Sequence, residues 1–178
     1  MAFSGGSSGL WRVVRITPVC GESLPPAPRL DRVEGPASPL VAGSAWTLRG
    51  VTSHVRYVTA SEKATLDAVQ PALGRPEATR GALIPIRKSP AWWALSQDER
   101  RAIFEDTSHH IAVGLEYLPA VARRLYHSRE LGEAFDFLTW FEFSEEDAAR
   151  FDTLLCRLRE TDEWRFADRE VEVRLSRE

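Results

Sequence analysis

Over residues 10–19 apolar and polar positions alternate, and several are β-branched, which predicts a strand with one buried face. The pattern is then lost over residues 21–44, where Pro25, Pro26, Pro28, Pro36 and Pro39 stand among glycines and alanines. That composition suits neither helix nor sheet and predicts a long surface excursion. Residues 46–59 predict a second strand region. Leu66, Val69 and Leu73, three and four apart within 61–73, predict a short amphipathic helix, and residues 81–87 a further strand. Ser96 and Glu99 form a capping box that opens a long helix, which Pro119 ends. Residues 120–127 and 134–143 alternate on either side of a turn at Gly132, as in an antiparallel hairpin. Another capped helix starts at Ser144 and carries Ala148, Phe151, Leu154, Leu155 and Leu158 on one face. In the final strand, Val171, Val173 and Leu175 alternate with Glu170, Glu172 and Arg174.

From residue 81 onward the order is therefore β-α-β-β-α-β, the split βαβ or ferredoxin-like arrangement of an α+β protein. Residues 1–80 look like a shortened second copy. The chain thus divides into a truncated N-terminal ferredoxin-like half, 1–80, with its Pro-rich loop at 21–44, and a C-terminal half, 81–178. Helices on one face of an antiparallel sheet leave the other face uncovered, and either a barrel-like closure or another subunit can supply the cover. Such a fold hosts many functions and names none of them.

Composition narrows the field. The 178 residues, 43% hydrophobic and 28% charged, are those of an ordinary globule. With 23 basic and 26 acidic residues the net charge is −3, so there is no basic field with which to engage a phosphate backbone, and no nucleic-acid partner is expected. No apolar run is long enough for a transmembrane helix. The Ser/Gly-rich first nine residues lack the charged and apolar blocks of a secretory signal, so the chain reads as cytoplasmic. Cys20 and Cys156 stand far apart in unlike contexts and predict two inert thiols. The four histidines, His54, His109, His110 and His127, are the main nitrogen ligands on offer to a metal.

His110 lies seven positions after Ile103 and seven before Tyr117, so it shares a helical stripe with them and faces inward, whereas His109 points about 100° away. An inward histidine is more often a hydrogen-bonded core residue than a ligand. In the hairpin, Arg123 shares a strand face with Val121, Leu125 and His127, next to a wall of Phe135, Phe137, Thr139, Phe141 and Phe143. A guanidinium there costs desolvation energy unless an anion meets it, so either a structural carboxylate or an anionic substrate is implied, and the carboxylate is the commoner case. Trp92 and Trp93 are core filler or the wall of a flat aromatic cofactor. Arg87 and Lys88 are a solvated strand end or carboxylate binders. Glu163 reads by default as a surface acid. Hydrolase, nucleotide-binding, zinc-protease and EF-hand motifs are missing, as is a Cys-x-x-Cys-His attachment site, so any haem would be held noncovalently.

The segments IPIRKSPAWW, DERRAIFEDTSHHIAVGLEYLPAVARRLYH, FDFLTWFE and ETDEW, between residues 84 and 174, resemble the haem-dependent chlorite dismutases, above all their short, dimeric subgroup. Upstream, LRGVTSHVRY and LGRPEATRGAL are similar as well. The resemblance implies a dimeric α+β barrel and haem b with His110 as its axial ligand. It implies that Arg123 is the mobile arginine across the iron and that Glu163 hydrogen-bonds the ligand's other ring nitrogen. By the same likeness Trp93 and Lys88 border the haem, Tyr57 reaches a propionate, and Thr139 and Phe141 line the distal pocket. The implied reaction converts chlorite to chloride and dioxygen at ferric haem, in a homodimer. The related coproheme decarboxylases use a tyrosine where this chain has Ile84, and usually a glutamine where it has Arg123. A haem-binding module without turnover is the rival from a different class.

Overall fold

The structure, a computed structural model, describes residues 1–35, 43–52 and 57–177. His54 and the prolines Pro36 and Pro39 lie outside these residues. Eight strands, β1 (Ala2–Gly6), β2 (Trp11–Cys20), β3 (Arg29–Val33), β4 (Trp46–Arg49), β5 (Arg80–Lys88), β6 (Ala122–His127), β7 (Phe137–Phe143) and β8 (Ala167–Ser176), form one sheet. Its order is β4-β1-β3-β2-β8-β5-β7-β6, and every neighbouring pair is antiparallel. The last four strands stand in the order fourth, first, third, second, and so do the first four. The split-βαβ order thus occurs twice, joined where β2 pairs with β8. In the first copy β1 passes to β2 through residues 7–10, which leave room for a turn but not a helix.

Closure of the sheet answers what covers its second face. Val51, just beyond β4, and His127, at the end of β6, exchange both backbone hydrogen bonds at 2.8 and 2.9 Å. The two ends of the sheet therefore meet, and the enclosed face is filled by Phe3, Trp11, Leu30, Leu83, Leu138, Trp140, Val171 and Val173. Within it Phe3 stacks on Trp140 (5.4 Å) and meets Tyr126 edge-on (5.5 Å). Each such side chain withdrawn from water contributes about 1.5–3 kcal/mol before the entropy of ordering it is counted. The outer face of β5 and β7 carries Ala82, Ile84, Ile86, Phe141 and Phe143. They pack under α5 (Ala148–Arg159), which buries Phe151, Leu154, Leu155 and Leu158 as its periodicity predicts.

Three expectations need correction. First, the Pro-rich stretch is not all surface excursion, since residues 29–33 form β3 and Leu24, Ala27 and Leu30 are buried. Pro25, Pro26 and Pro28, which cannot donate to a ladder, stay outside the strand, and the Trp46 indole N–H donates to the Pro25 carbonyl (3.0 Å). Second, the long helix is broken. The Ser96–Glu99 capping box is present and opens α3 (Gln97–Arg101), after a short α2 (Pro90–Ala94). A π-helical turn, Ala102–Thr107, follows, and His109 takes a left-handed conformation (φ 51°) before α4 (His110–Leu115) begins. The Glu105 carboxylate accepts the N–H groups of Ile111 (2.6 Å) and Ala112 (3.3 Å), doing for α4 what helical carbonyls would have done. Third, Glu170 and Glu172 are buried, because α5 covers their side of β8 with Arg159. The helix after β4, α1 (Ala60–Val69), is opened by a capping box of Thr59 and Glu62 but stops short of the expected Leu73, and of its predicted apolar face only Leu66 is buried while Val69 is exposed.

Candidate functional site

Between α4, α5 and the outer face of β5, β6 and β7 lies a cavity of about 290 Å³. Its walls are mostly aliphatic and aromatic, with Ile84, Ile86, Phe141, Leu154, Leu155 and Leu158 among them. Ile84 thus puts an alkyl side chain, not a phenol, into this wall. Against this background the polar groups stand out. His110, Lys88 and Glu163 form one cluster, and the β6–β7 hairpin brings Arg123 and Thr139.

The break before α4 makes His110 the first residue of that helix. Its Nδ1 lies 2.7 Å from Glu163 Oε2. Glu163 sits in a 3-10 turn, Asp162–Phe166, which is held in place where its backbone N–H donates to Ser108 Oγ (3.0 Å). Lys88, at the end of β5, donates to Glu163 Oε1 (2.8 Å) and to the Glu163 carbonyl (3.1 Å). Its ammonium also lies over the Trp92 and Trp164 rings, at 5.0 and 5.3 Å. Lys88 is 5% exposed and Glu163 4%, so neither is the solvated residue that its default reading implies. Burial alone would raise the Glu163 pKa, but the adjacent His110 and Lys88 charges and their hydrogen bonds outweigh it and hold the carboxyl at about 2. Glu163 is therefore ionised at neutral pH. With its Nδ1–H donated to that carboxylate, a neutral His110 ring leaves the Nε2 lone pair free to bind a metal. The ring lies nearly parallel to Phe104 (4.3 Å, 23°) and Trp164 (6.3 Å, 15°). His109 is exposed, as its phase predicts.

Arg123 projects from β6, opposite Phe141 in the register, and its guanidinium occupies the space that a side chain at Gly114 on α4 would enter, 3.9 Å from where a β-carbon there would stand. Among the described residues no carboxylate pairs with it, which overturns the preference for a structural partner. Burial pushes the guanidinium pKa below its ordinary value, and no neighbouring charge contributes. A guanidinium remains protonated all the same. The cavity thus contains a half-buried cation that no carboxylate of the described residues pairs with.

Thr139, Phe141 and Tyr57 line the cavity as well. The Tyr57 hydroxyl accepts a bond from Arg100 (3.2 Å). Of the paired tryptophans it is Trp92, not Trp93, that lines the wall. Trp93 stacks on Phe137 (6.0 Å) and its indole N–H donates to Asp136 (3.2 Å). The Trp92 indole N–H is buried and has no acceptor among the described residues. Phe135, counted with the hairpin's aromatic wall, belongs to the barrel interior instead. Phe104 and Trp164 were not legible as site residues, because the π-turn and the 3-10 turn that aim them leave no periodic signal. A free imidazole nitrogen, flat aromatic walls, an orphaned indole N–H and a buried ammonium together fit a planar metal-bearing group with anionic edges.

Fold and cavity together define a ferredoxin-like barrel with a carboxylate-backed histidine in a largely apolar pocket. The chlorite dismutase sequence profile matches residues 40–178, and the chain belongs to the chlorite dismutase family. It is similar to the dimeric chlorite dismutase of Nitrobacter winogradskyi, at 56% identity over 99% of both chains with a TM-score of 0.92. The chlorite dismutase of Candidatus Nitrospira defluvii in complex with imidazole is more distant, at 31% identity over 75% of this chain and 56% of that one, with a TM-score of 0.61. A chlorite dismutase from Ideonella dechloratans is 31% identical over 114 residues, which are 63% of this chain and 38% of that protein. The chain therefore spans about two fifths of the length of that curated relative.

Proposed function

We propose that this protein holds haem b noncovalently through His110 and converts chlorite to chloride and dioxygen as a homodimer. The observation that carries the reading is the half-buried Arg123 guanidinium, which pairs with no carboxylate among the described residues, in the same cavity as the Glu163-backed imidazole. Haem, when bound, supplies the redox chemistry by which chlorine–oxygen bonds break and the two oxygens join. The chain's own residues do the rest. Glu163 keeps the proton on His110 Nδ1 and so keeps Nε2 available to iron, while making the imidazole a stronger donor. The Trp92 N–H and the Tyr57 hydroxyl stand ready for the carboxylates at the cofactor's edge, while the Lys88 ammonium is held on Glu163. Arg123 attracts the chlorite anion and restrains the chlorine oxyanion that leaves, and its grip is strong because Phe141, Thr139 and the aliphatic wall keep water out. Membership of the family and the 56% likeness to a dimeric chlorite dismutase support the substrate and the homodimer.

An oxygen-electrode trace of hemin-loaded protein given chlorite tests the activity. Dioxygen release matching chlorite consumption is expected. Haem uptake without dioxygen would leave a haem-binding module, and protein that stays colourless with hemin would end the reading. Light scattering should give twice the 20.0 kDa chain mass, and a monomer or pentamer would refute the dimer.

A further inference from the structure

Glu170 belongs to no wall of the cavity, yet its side chain is completely buried. Both of its oxygens are engaged. Oε2 accepts the Trp164 indole N–H at 2.6 Å, and Oε1 accepts two N–H groups of Arg159, at 3.0 and 2.6 Å. Arg159 also pairs with Glu172 (2.8 Å), which in turn holds Arg174 (2.6 Å). The join between α5 and β8 therefore has ion pairs enough without Glu170, and what Glu170 alone supplies is the acceptor for Trp164.

Trp164 is where this anchor meets the site. It follows Glu163 in the same 3-10 turn, lines the cavity, lies parallel to His110, and sits under the Lys88 ammonium. We infer that Glu170 is a positioning residue for the His110–Glu163–Lys88 group, acting through the indole of Trp164. The inference rests on the haem reading above and extends it to a residue outside the cavity. Two effects combine. Fixing the indole fixes the turn that aims the Glu163 carboxylate at His110. Accepting the indole N–H also pushes electron density into the ring that faces Lys88, which strengthens the cation–π contact holding that ammonium on Glu163. Without Glu170 the indole N–H is left unsatisfied and the turn loses its side-chain tether.

The test compares the full-length wild type with Glu170→Leu, which removes the acceptor, Trp164→Phe and the double variant, each loaded with hemin. The readouts are the hemin dissociation constant and the iron–histidine stretching band of the reduced form. Each single substitution is expected to weaken hemin binding about tenfold, in the range for groups that orient a metal ligand, and to shift the band in the same sense. The double variant should lie within about twofold of either single one, because both changes cut the same link. Trp164→Phe keeps an aromatic ring and changes no charge, so it decides the matter if Glu170→Leu does not fold. A band unmoved in the variants, even with a lowered unfolding temperature, would reduce Glu170 to a structural residue, and fully additive losses would show that it does not act through Trp164. Wild-type protein that takes up no hemin overturns the haem reading and this inference together. Wild type that binds hemin with variants that match it overturns this inference alone.

Discussion

Arg123→Ala is expected to take up hemin as the wild type does, while chlorite turnover falls by about 10²–10³-fold, the usual loss when a preorganised donor to a reacting anion is removed. The retained binding follows from geometry, since the guanidinium makes no contact with the His110–Glu163–Lys88 cluster. The lost rate follows from electrostatics. Arg123 is a half-buried cation whose pKa desolvation alone lowers, so its field is spent on no carboxylate of the described residues and remains available to an anion in the cavity. The remaining turnover should also be more destructive. With no cation to restrain it, the hypochlorite-level fragment escapes, dioxygen yield per chlorite falls, and the haem absorbance bleaches faster during the reaction. Stopped-flow absorbance with a parallel oxygen electrode reads both quantities. Unchanged yield and durability would remove Arg123 from the chemistry.

His110→Ala should lose more than about 100-fold in hemin affinity, because the metal bond itself disappears together with the hydrogen bond behind it. What hemin remains should lack the iron–histidine stretching band of the reduced form. The same substitution leaves Glu163 facing Lys88 alone, so the buried pair stays neutralised and the fold should survive, which circular dichroism would confirm. His109→Ala is the control. His109 is exposed and in a left-handed conformation, so its replacement touches stability by about 1 kcal/mol at most and leaves hemin binding intact. If His109 rather than His110 proves essential, the break before α4 has been placed wrongly.

The strand over residues 10–19 was readable because it has an exposed face and so keeps a period of two, whereas β5, β7 and β8 are buried on both faces, and in β8 the alternation survives only because Glu170, Glu172 and Arg174 form the side under α5 opposite Val171, Val173 and Leu175. The helix bearing His110 was readable only in part. Helical phase correctly turned His110 inward and His109 outward, but Ile103 is not in the cavity wall while Phe104 is, since the π-turn rotates everything before it. Burial of charge was the least legible property. Lys88, Glu163 and Glu170 look like surface residues in a linear pattern, and only the folded chain brings together the partners that let them leave water. Arg123 shows the reverse. Its apolar neighbours announced a buried cation, but only the packed structure shows that no acid answers it.

The bridge between Val51 and His127 has a bearing on how the protein could be dissected. Strand β6 carries Arg123, and on the side away from β7 this bridge and a bond from Gln70 to the Arg123 carbonyl (2.9 Å) tie it to the first eighty residues. Excising residues 81–178 would retain Lys88, His110, Arg123 and Glu163, lose Lys63 and Asp67 from the cavity wall, and strip the flanks of both β6 and β8, leaving two raw edges of the kind through which sheets stick to one another. The short front half, which lends Tyr57, Lys63 and Asp67 to the cavity wall, also covers edges through which the rear half alone would be expected to associate.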